Sequence, residues 1–259
     1  VSTTGAERLI PVPGVRNLRD AGGFPTADGG RVAQALLYRG GSLHELTPEG
    51  AAALTALGLR TVIDLRSAPE LEVWPDRPLD GEVRFLHLPT FPPRPARERT
   101  AEEARDERAD QDERDERDAE AGEETLDDLY AFMAATAGPA IAATVSALAV
   151  PGALPALVHC AVGKDRTGVT VATLLSALGV RDADIVADYH LSNTGLGLDR
   201  GPVYYVDEQG RERRSRPVHE GLLLAFLASL RATHGDATRY LLAHGVTEPE
   251  LAALRGAFL

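Results

Sequence analysis

The ten residues His159-Cys160-Ala161-Val162-Gly163-Lys164-Asp165-Arg166-Thr167-Gly168 hold the chain's only cysteine and its only lysine. Twenty-six of its 27 basic residues are arginine, so a lysine four positions past the lone cysteine departs from the chain's own habit. The segment is expected to run from a strand end into a helix. A strand end delivers a thiol to the mouth of a loop whose amides converge on one point. The helix N-terminus adds free N–H donors and the positive end of its dipole, which together favour an anion. Gly163 lets the loop bend where a side chain would obstruct. Arg166, six residues after Cys160, can return across the loop and fork two donors onto a phosphate. The same field lowers the thiol pKa. A thiolate facing a bound phosphoryl group can attack in line, forming a phosphocysteine that water hydrolyses.

Roles follow for the neighbours. Cys160 is the candidate nucleophile, and Arg166 with the loop residues Ala161, Val162, Gly163 and Lys164 holds the phosphoryl oxygens. Thr167 can donate its hydroxyl to the sulfur and steady it as a leaving group. His159 is expected to fix the loop through backbone hydrogen bonds rather than to act as a base. Lys164, a compact cation expected at the loop rim, suits a substrate phosphate, including a second one on an inositol ring. Arg211, Arg213, Arg214 and Arg216 could extend that surface, although such a run usually forms a solvated loop. A departing alkoxide or phenoxide needs a proton donor. Asp165, inside the segment, is the preferred candidate; Asp76 in Trp74-Pro75-Asp76 and a carboxylate of the acidic stretch below are alternatives. Asp76 is expected to be a surface turn residue. Among the remaining histidines no metal-ligand spacing stands out, so neither a metal nor another cofactor is expected. Gly163-Lys164 is not a nucleotide-binding loop, which needs glycine five residues before Gly163, where Val158 stands.

Elements to position this segment are legible on both sides of it. Apolar runs at 36–38, 61–65, 83–88 and 154–159 read as short strands. Thr47-Pro48 opens a helix that Gly58 stops. Helices are also expected at 126–136, 140–150, 167–178, 182–191 with Asp182 as cap, 218–232, 236–243 and 249–258. Residues 195–217 read as a loop with a hairpin near 203–206. Asn17, Arg19, Asp20, Asp64 and Arg66 are expected to form a hydrogen-bond network behind the site. Of the net charge of −12, most lies in residues 97–128, which hold sixteen acids and six arginines. The stretch 97–124 is too poor in large apolar residues to form a core element and is expected as an exposed helical lid or a flexible insertion within a single domain spanning 1–259. No basic face favours nucleic acid, and no apolar run approaches the ~18 residues of a membrane span. With no recognisable signal peptide and a lone cysteine, a cytoplasmic location is expected.

Cys-x5-Arg followed by Thr-Gly and preceded by His resembles the signature of the protein tyrosine phosphatase superfamily. The Gly163-Lys164-Asp165-Arg166 form is similar to its atypical bacterial group. Asn17-Leu18-Arg19-Asp20, Tyr38-Arg39-Gly40-Gly41-Ser42, Val62-Ile63-Asp64-Leu65-Arg66-Ser67 and Ala187-Asp188-Tyr189-His190-Leu191-Ser192-Asn193 also resemble that group. The resemblance implies an α/β fold, a central sheet flanked by helices with a lid over the site, and an important role for Asp165. It implies action on phosphotyrosine, with phosphoserine, phosphothreonine and phosphoinositides as further substrates. Phosphate and vanadate are the expected inhibitors. A non-catalytic phosphate-binding module and a rhodanese-like sulfurtransferase are the rival readings, and the Arg-Thr-Gly ending opposes the latter.

Overall fold

The computed structural model describes residues 8–91, 125–207 and 209–259. The acidic insertion expected at 97–124 lies outside the described residues.

Five short strands form one sheet: β1 (Arg19–Asp20), β2 (Leu37–Gly40), β3 (Thr61–Asp64), β4 (Arg84–His87) and β5 (Ala156–His159). Their order is β1-β2-β5-β3-β4, with β1 antiparallel to β2 and the other pairings parallel. β5 is thus central, and every residue of β2, β3 and β5 is buried. Strands covered on both faces read as continuous apolar runs, which is why 61–65 and 154–159 were visible. Successive side chains alternate between the two faces. Leu37, Ile63, Ala156 and Val158 join the larger core, while Tyr38, Val62 and Leu157 meet Val12, Val15, Leu18 and Leu54 on the opposite side.

The helices begin where their caps permit. Thr47 accepts from the Gly50 amide at 3.1 Å and starts α1 (Pro48–Ala56). Ser67 and Glu70 cap each other around α2 (Ala68–Val73), a helix that the apolar periodicity does not announce. After the undescribed stretch come α3 (Leu126–Thr136) and α4 (Gly138–Ala149). The helix after β5, α5 (Asp165–Ala177), starts two residues earlier than expected. Asp165 and Arg166 therefore sit in its first turn, and nearly every face of α5 is buried. In α6 (Asp182–Leu196) the cap is Arg181 rather than Asp182, and the helix continues to Gly197, whose φ of +70° ends it. Strands β6 (Tyr204–Val206) and β7 (Glu212–Arg214) form the hairpin. The chain closes with α7 (Glu220–His234), α8 (Ala237–Ala243) and α9 (Glu248–Phe258), the last two capped by Asp236 and Thr247. Among the described residues no single helix is long and apolar enough to cross a membrane; only α3 and α4 taken together, bent by 66°, reach that length and composition.

Candidate active site

The segment 159–168 crosses from the C-terminal end of β5 to α5, at the crevice where parallel α/β sheets bind their ligands. Its backbone is held from outside. Ser42 donates its amide (3.0 Å) and hydroxyl (3.1 Å) to the Ala161 carbonyl. Asn17 Nδ2 donates to the carbonyls of Val162 (3.1 Å) and Gly163 (3.0 Å). Arg39 Nη2 donates to Gly163 (3.0 Å) and Lys164 (3.3 Å). In a trans peptide the next residue's N–H points away from the carbonyl, so with the carbonyls of 161–164 turned outward the amides of 162–165 face inward, and among the described residues none of these amides has an acceptor. Such a ring of converging N–H groups suits an anion. Gly163 is required here: its φ is +69°, and a Cβ would lie 2.1 Å from the Gly40 carbonyl oxygen.

The residues expected to support the loop divide into separate groups. Arg19 and Arg39 share the buried Asp188 of α6, at 2.9 and 2.8 Å, and Arg19 also binds Asn17 and Ser192. Arg66 instead binds Asp64 (2.7 Å) and Asp76 (2.8 Å). Asp20 stands apart, accepting from the Gly22 and Ala35 amides.

Cys160 is buried. Burial, the largest single influence on the thiol, pushes its pKa up; Arg166 and the hydroxyl and amide of Thr167 outweigh it, so the net shift is downward. The buried Thr167 hydroxyl makes no hydrogen bond of full geometry and faces the sulfur, ready to bond the thiolate. Arg166 is aimed by Glu70 of α2, whose carboxylate takes both guanidinium arms at 2.6 Å. Glu70 is 1% exposed and also accepts from the Ser67 amide at 2.8 Å, so one side chain caps α2 and fixes the arginine. The guanidinium lies 5.7 Å from the centre of the Phe91 ring.

His159 sits behind the nucleophile, its Nδ1 3.3 Å from the Cys160 carbonyl and its Nε2 3.2 Å from Asp76. Burial alone would lower its pKa, but Asp64 and Asp76 prevail and hold it up at about 9. Asp76 is not the surface turn residue expected. Its side chain is 14% exposed and joins the Leu43 amide (2.7 Å), Arg66 and His159. The preceding Trp74 stacks on His44 at 4.1 Å. Asp76, the alternative acid, is thus a support under the loop, held against His159 and Arg66. Asp64, Asp76 and His159 place one ligand atom each within 4.8 Å of one another. The Arg66 guanidinium already lies against both carboxylates, so these residues fit an organic cation and no metal is assigned to them.

Lys164 differs from its expected place at the rim: it is 2% exposed. Its ammonium donates to Ser215 Oγ (3.2 Å) and the Arg216 carbonyl, and lies 3.6 Å from Asp165 Oδ2, so it ties the residues after β7 to the loop. Arg211 and Arg213 pair with Asp207 within the hairpin, while Arg214 and Arg216 are exposed. Asp165 is 18% exposed at its side chain and accepts from the Tyr130 hydroxyl at 2.9 Å. Glu70, Tyr130 and Asp188 were missed as site residues. The Ser67-to-Glu70 capping spacing was a readable signal for the first, whereas Tyr130 had none.

A low-pKa cysteine on an amide-lined loop, with a fixed arginine six residues on in the first turn of α5, defines a cysteine-dependent phosphatase. The description "Tyrosine phosphatase family" matches residues 10–259 of the chain, which belongs to that family. The chain is 28% identical, over 96% of its length and 98% of the relative's, to the "Triple specificity protein phosphatase PtpB" of Mycobacterium tuberculosis. It is 33% identical to a putative tyrosine-protein phosphatase of Cupriavidus necator, over 69% of the chain and 61% of that protein. TpbA of P. aeruginosa, at 16% identity with 81% of this chain and 86% of that one covered, has a TM-score of 0.37, too low to bear on the reading.

Proposed function

We propose that this phosphatase hydrolyses phosphotyrosine in proteins with broad specificity, by the following steps. The oxygens of the bound phosphate lie among the amides of 161–166 and the Arg166 guanidinium. Cys160 Sγ attacks phosphorus, the P–O bond to the leaving group breaks, and Asp165 gives that oxygen its proton. Water then attacks the phosphocysteine, passes a proton to the Asp165 carboxylate, and releases phosphate and the thiolate. The observation that carries this reading is the outward capture of the carbonyls of 161–164, which leaves the amides of 162–165, on the opposite side of the same peptide planes, to meet phosphate oxygens. The word "triple" in the name of the mycobacterial relative supports breadth. Phosphoinositides are the second substrate class: the residues tied to Lys164 include Arg216, which is exposed beside the loop, where a second phosphate would meet it.

The test is phosphate release from a phosphotyrosine peptide and from mono- and bisphosphorylated phosphoinositides, with Cys160→Ser as the blank and vanadate as inhibitor. Cys160-dependent release from the peptide, blocked by vanadate, is expected. Faster release from the lipids would make the second class the principal one. Binding of phosphate with no Cys160-dependent release from either would make the chain a phosphate-binding module and overturn the mechanism.

A further inference from the structure

The two carboxylate oxygens of Asp165 are held differently. Oδ1 accepts from the Tyr130 hydroxyl at 2.9 Å, and that hydroxyl lies 2.6 Å from the hydroxyl of Tyr189. A phenol has one proton to give. With Tyr130's directed to Asp165, the proton between the two phenols belongs to Tyr189, and the chain runs one way, from Tyr189 through Tyr130 to Oδ1. Three helices meet in it: α6 supplies Tyr189, α3 supplies Tyr130 and α5 supplies Asp165. Both rings are buried, 0% and 1% exposed, and stand edge to face at 6.2 Å. Burial raises both phenol pKa values, so both remain neutral donors. The Tyr189 ring also lies against the start of α5, where a Cβ on Gly168 would approach it to 3.1 Å. An oxygen that accepts such a bond is a poor place for the acid's own proton, because a carboxyl O–H oxygen accepts weakly. Oδ2 carries no bond of this kind; its neighbour is the Lys164 ammonium at 3.6 Å.

We propose that Tyr130, backed by Tyr189, is a positioning residue that holds Oδ1 of Asp165 and leaves Oδ2 as the oxygen that protonates the leaving group and later takes the proton from water. This rests on the reading of Asp165 as the general acid. It assigns the two buried phenols to aiming the acid rather than to packing alone, and it ties the orientation of the acid to α3, outside the phosphate loop.

Removing one hydroxyl tests it. Tyr130→Phe, Tyr189→Phe, Asp165→Asn and the double variant Tyr130→Phe/Asp165→Asn are assayed on aryl phosphates graded by leaving group. Departure of a dinitrophenolate needs no acid, whereas phenolate does. Tyr130→Phe is expected to lower kcat/KM for phenyl phosphate, which reports the step that releases the leaving group, about tenfold, part of what a general acid supplies. Its kcat/KM for dinitrophenyl phosphate stays within about twofold, which also shows that the variant is folded. Tyr189→Phe follows the same pattern more weakly, and the double variant is no slower than Asp165→Asn, since the hydroxyl acts only through the carboxyl. Equal loss of kcat/KM on both substrates by Tyr130→Phe, or no loss on either, overturns the positioning role while a leaving-group-dependent Asp165→Asn keeps the acid. Asp165→Asn that cleaves phenyl phosphate at the full rate overturns both.

Discussion

Replacing Asp76 by Asn, in a Cys160→Ser background, separates a buried support from a catalytic acid. His159 is fully buried and held at about 9, against an ordinary 6.5, by Asp64 and Asp76. Because the folded value lies above the unfolded one, the protonated imidazole contributes its full stability below about 6.5, and that contribution is lost as pH rises through about 9. At ~1.4 kcal/mol per pH unit the interval corresponds to roughly 3 kcal/mol. Two carboxylates share it, so removing the Asp76 charge takes away about 1–2 kcal/mol near neutral pH. For a chain of this size that is a fall in Tm of about 2–8 °C. The serine background matters because a thiol with a lowered pKa changes stability in the opposite sense over the alkaline range. Urea melts of parent and variant across the pH range provide the measurement. The lost contact to Arg66 gives a constant offset; above it, the gap between the two proteins narrows as pH rises past the His159 pKa. A gap that does not narrow would refute the coupling. Slowing of poor leaving groups alone, by Asp76→Asn in the active protein, would return Asp76 to the role of acid.

Two further outcomes test the frame around the phosphate. Glu70→Gln keeps the shape of the side chain but offers one acceptor where two arms of Arg166 are bound at 2.6 Å; kcat/KM should fall about a hundredfold as the fork loses its aim. Competitive inhibition by phosphate should weaken with it, and an unchanged inhibition constant would show that Arg166 needs no such partner. Gly163→Ala meets the Gly40 carbonyl at 2.1 Å and should abolish phosphate binding in equilibrium dialysis. Gly58→Ala, at φ +67° with nothing within 4 Å, is the control: it incurs only the left-handed strain of ~1–2 kcal/mol and leaves activity intact.

Much of the site was legible because it is local. Nucleophile, loop and arginine occupy seven consecutive residues, and the strand before them and helix after them follow from an apolar run and from the need to bury α5 on nearly all sides. Caps were equally local, since a hydroxyl and an amide three residues apart meet without help from the rest of the fold: Thr47 could be read directly. What could not be read depended on partners far along the chain. Glu70 reaches Arg166 across 96 residues, and Tyr130 reaches Asp165 across 35. Trp74-Pro75-Asp76 shows the difference most clearly. Its residue types fit an exposed acid loop as well as a buried brace, and its place beside His159 follows from the packing of β3, α2 and β5. Lys164 likewise stood out by its rarity, while the direction of its ammonium was set by Ser215 and Arg216, 51 and 52 residues away. Residue type and near spacing specify which atoms can react; burial and the choice among distant partners specify their charge and aim, because both are properties of the assembled interior.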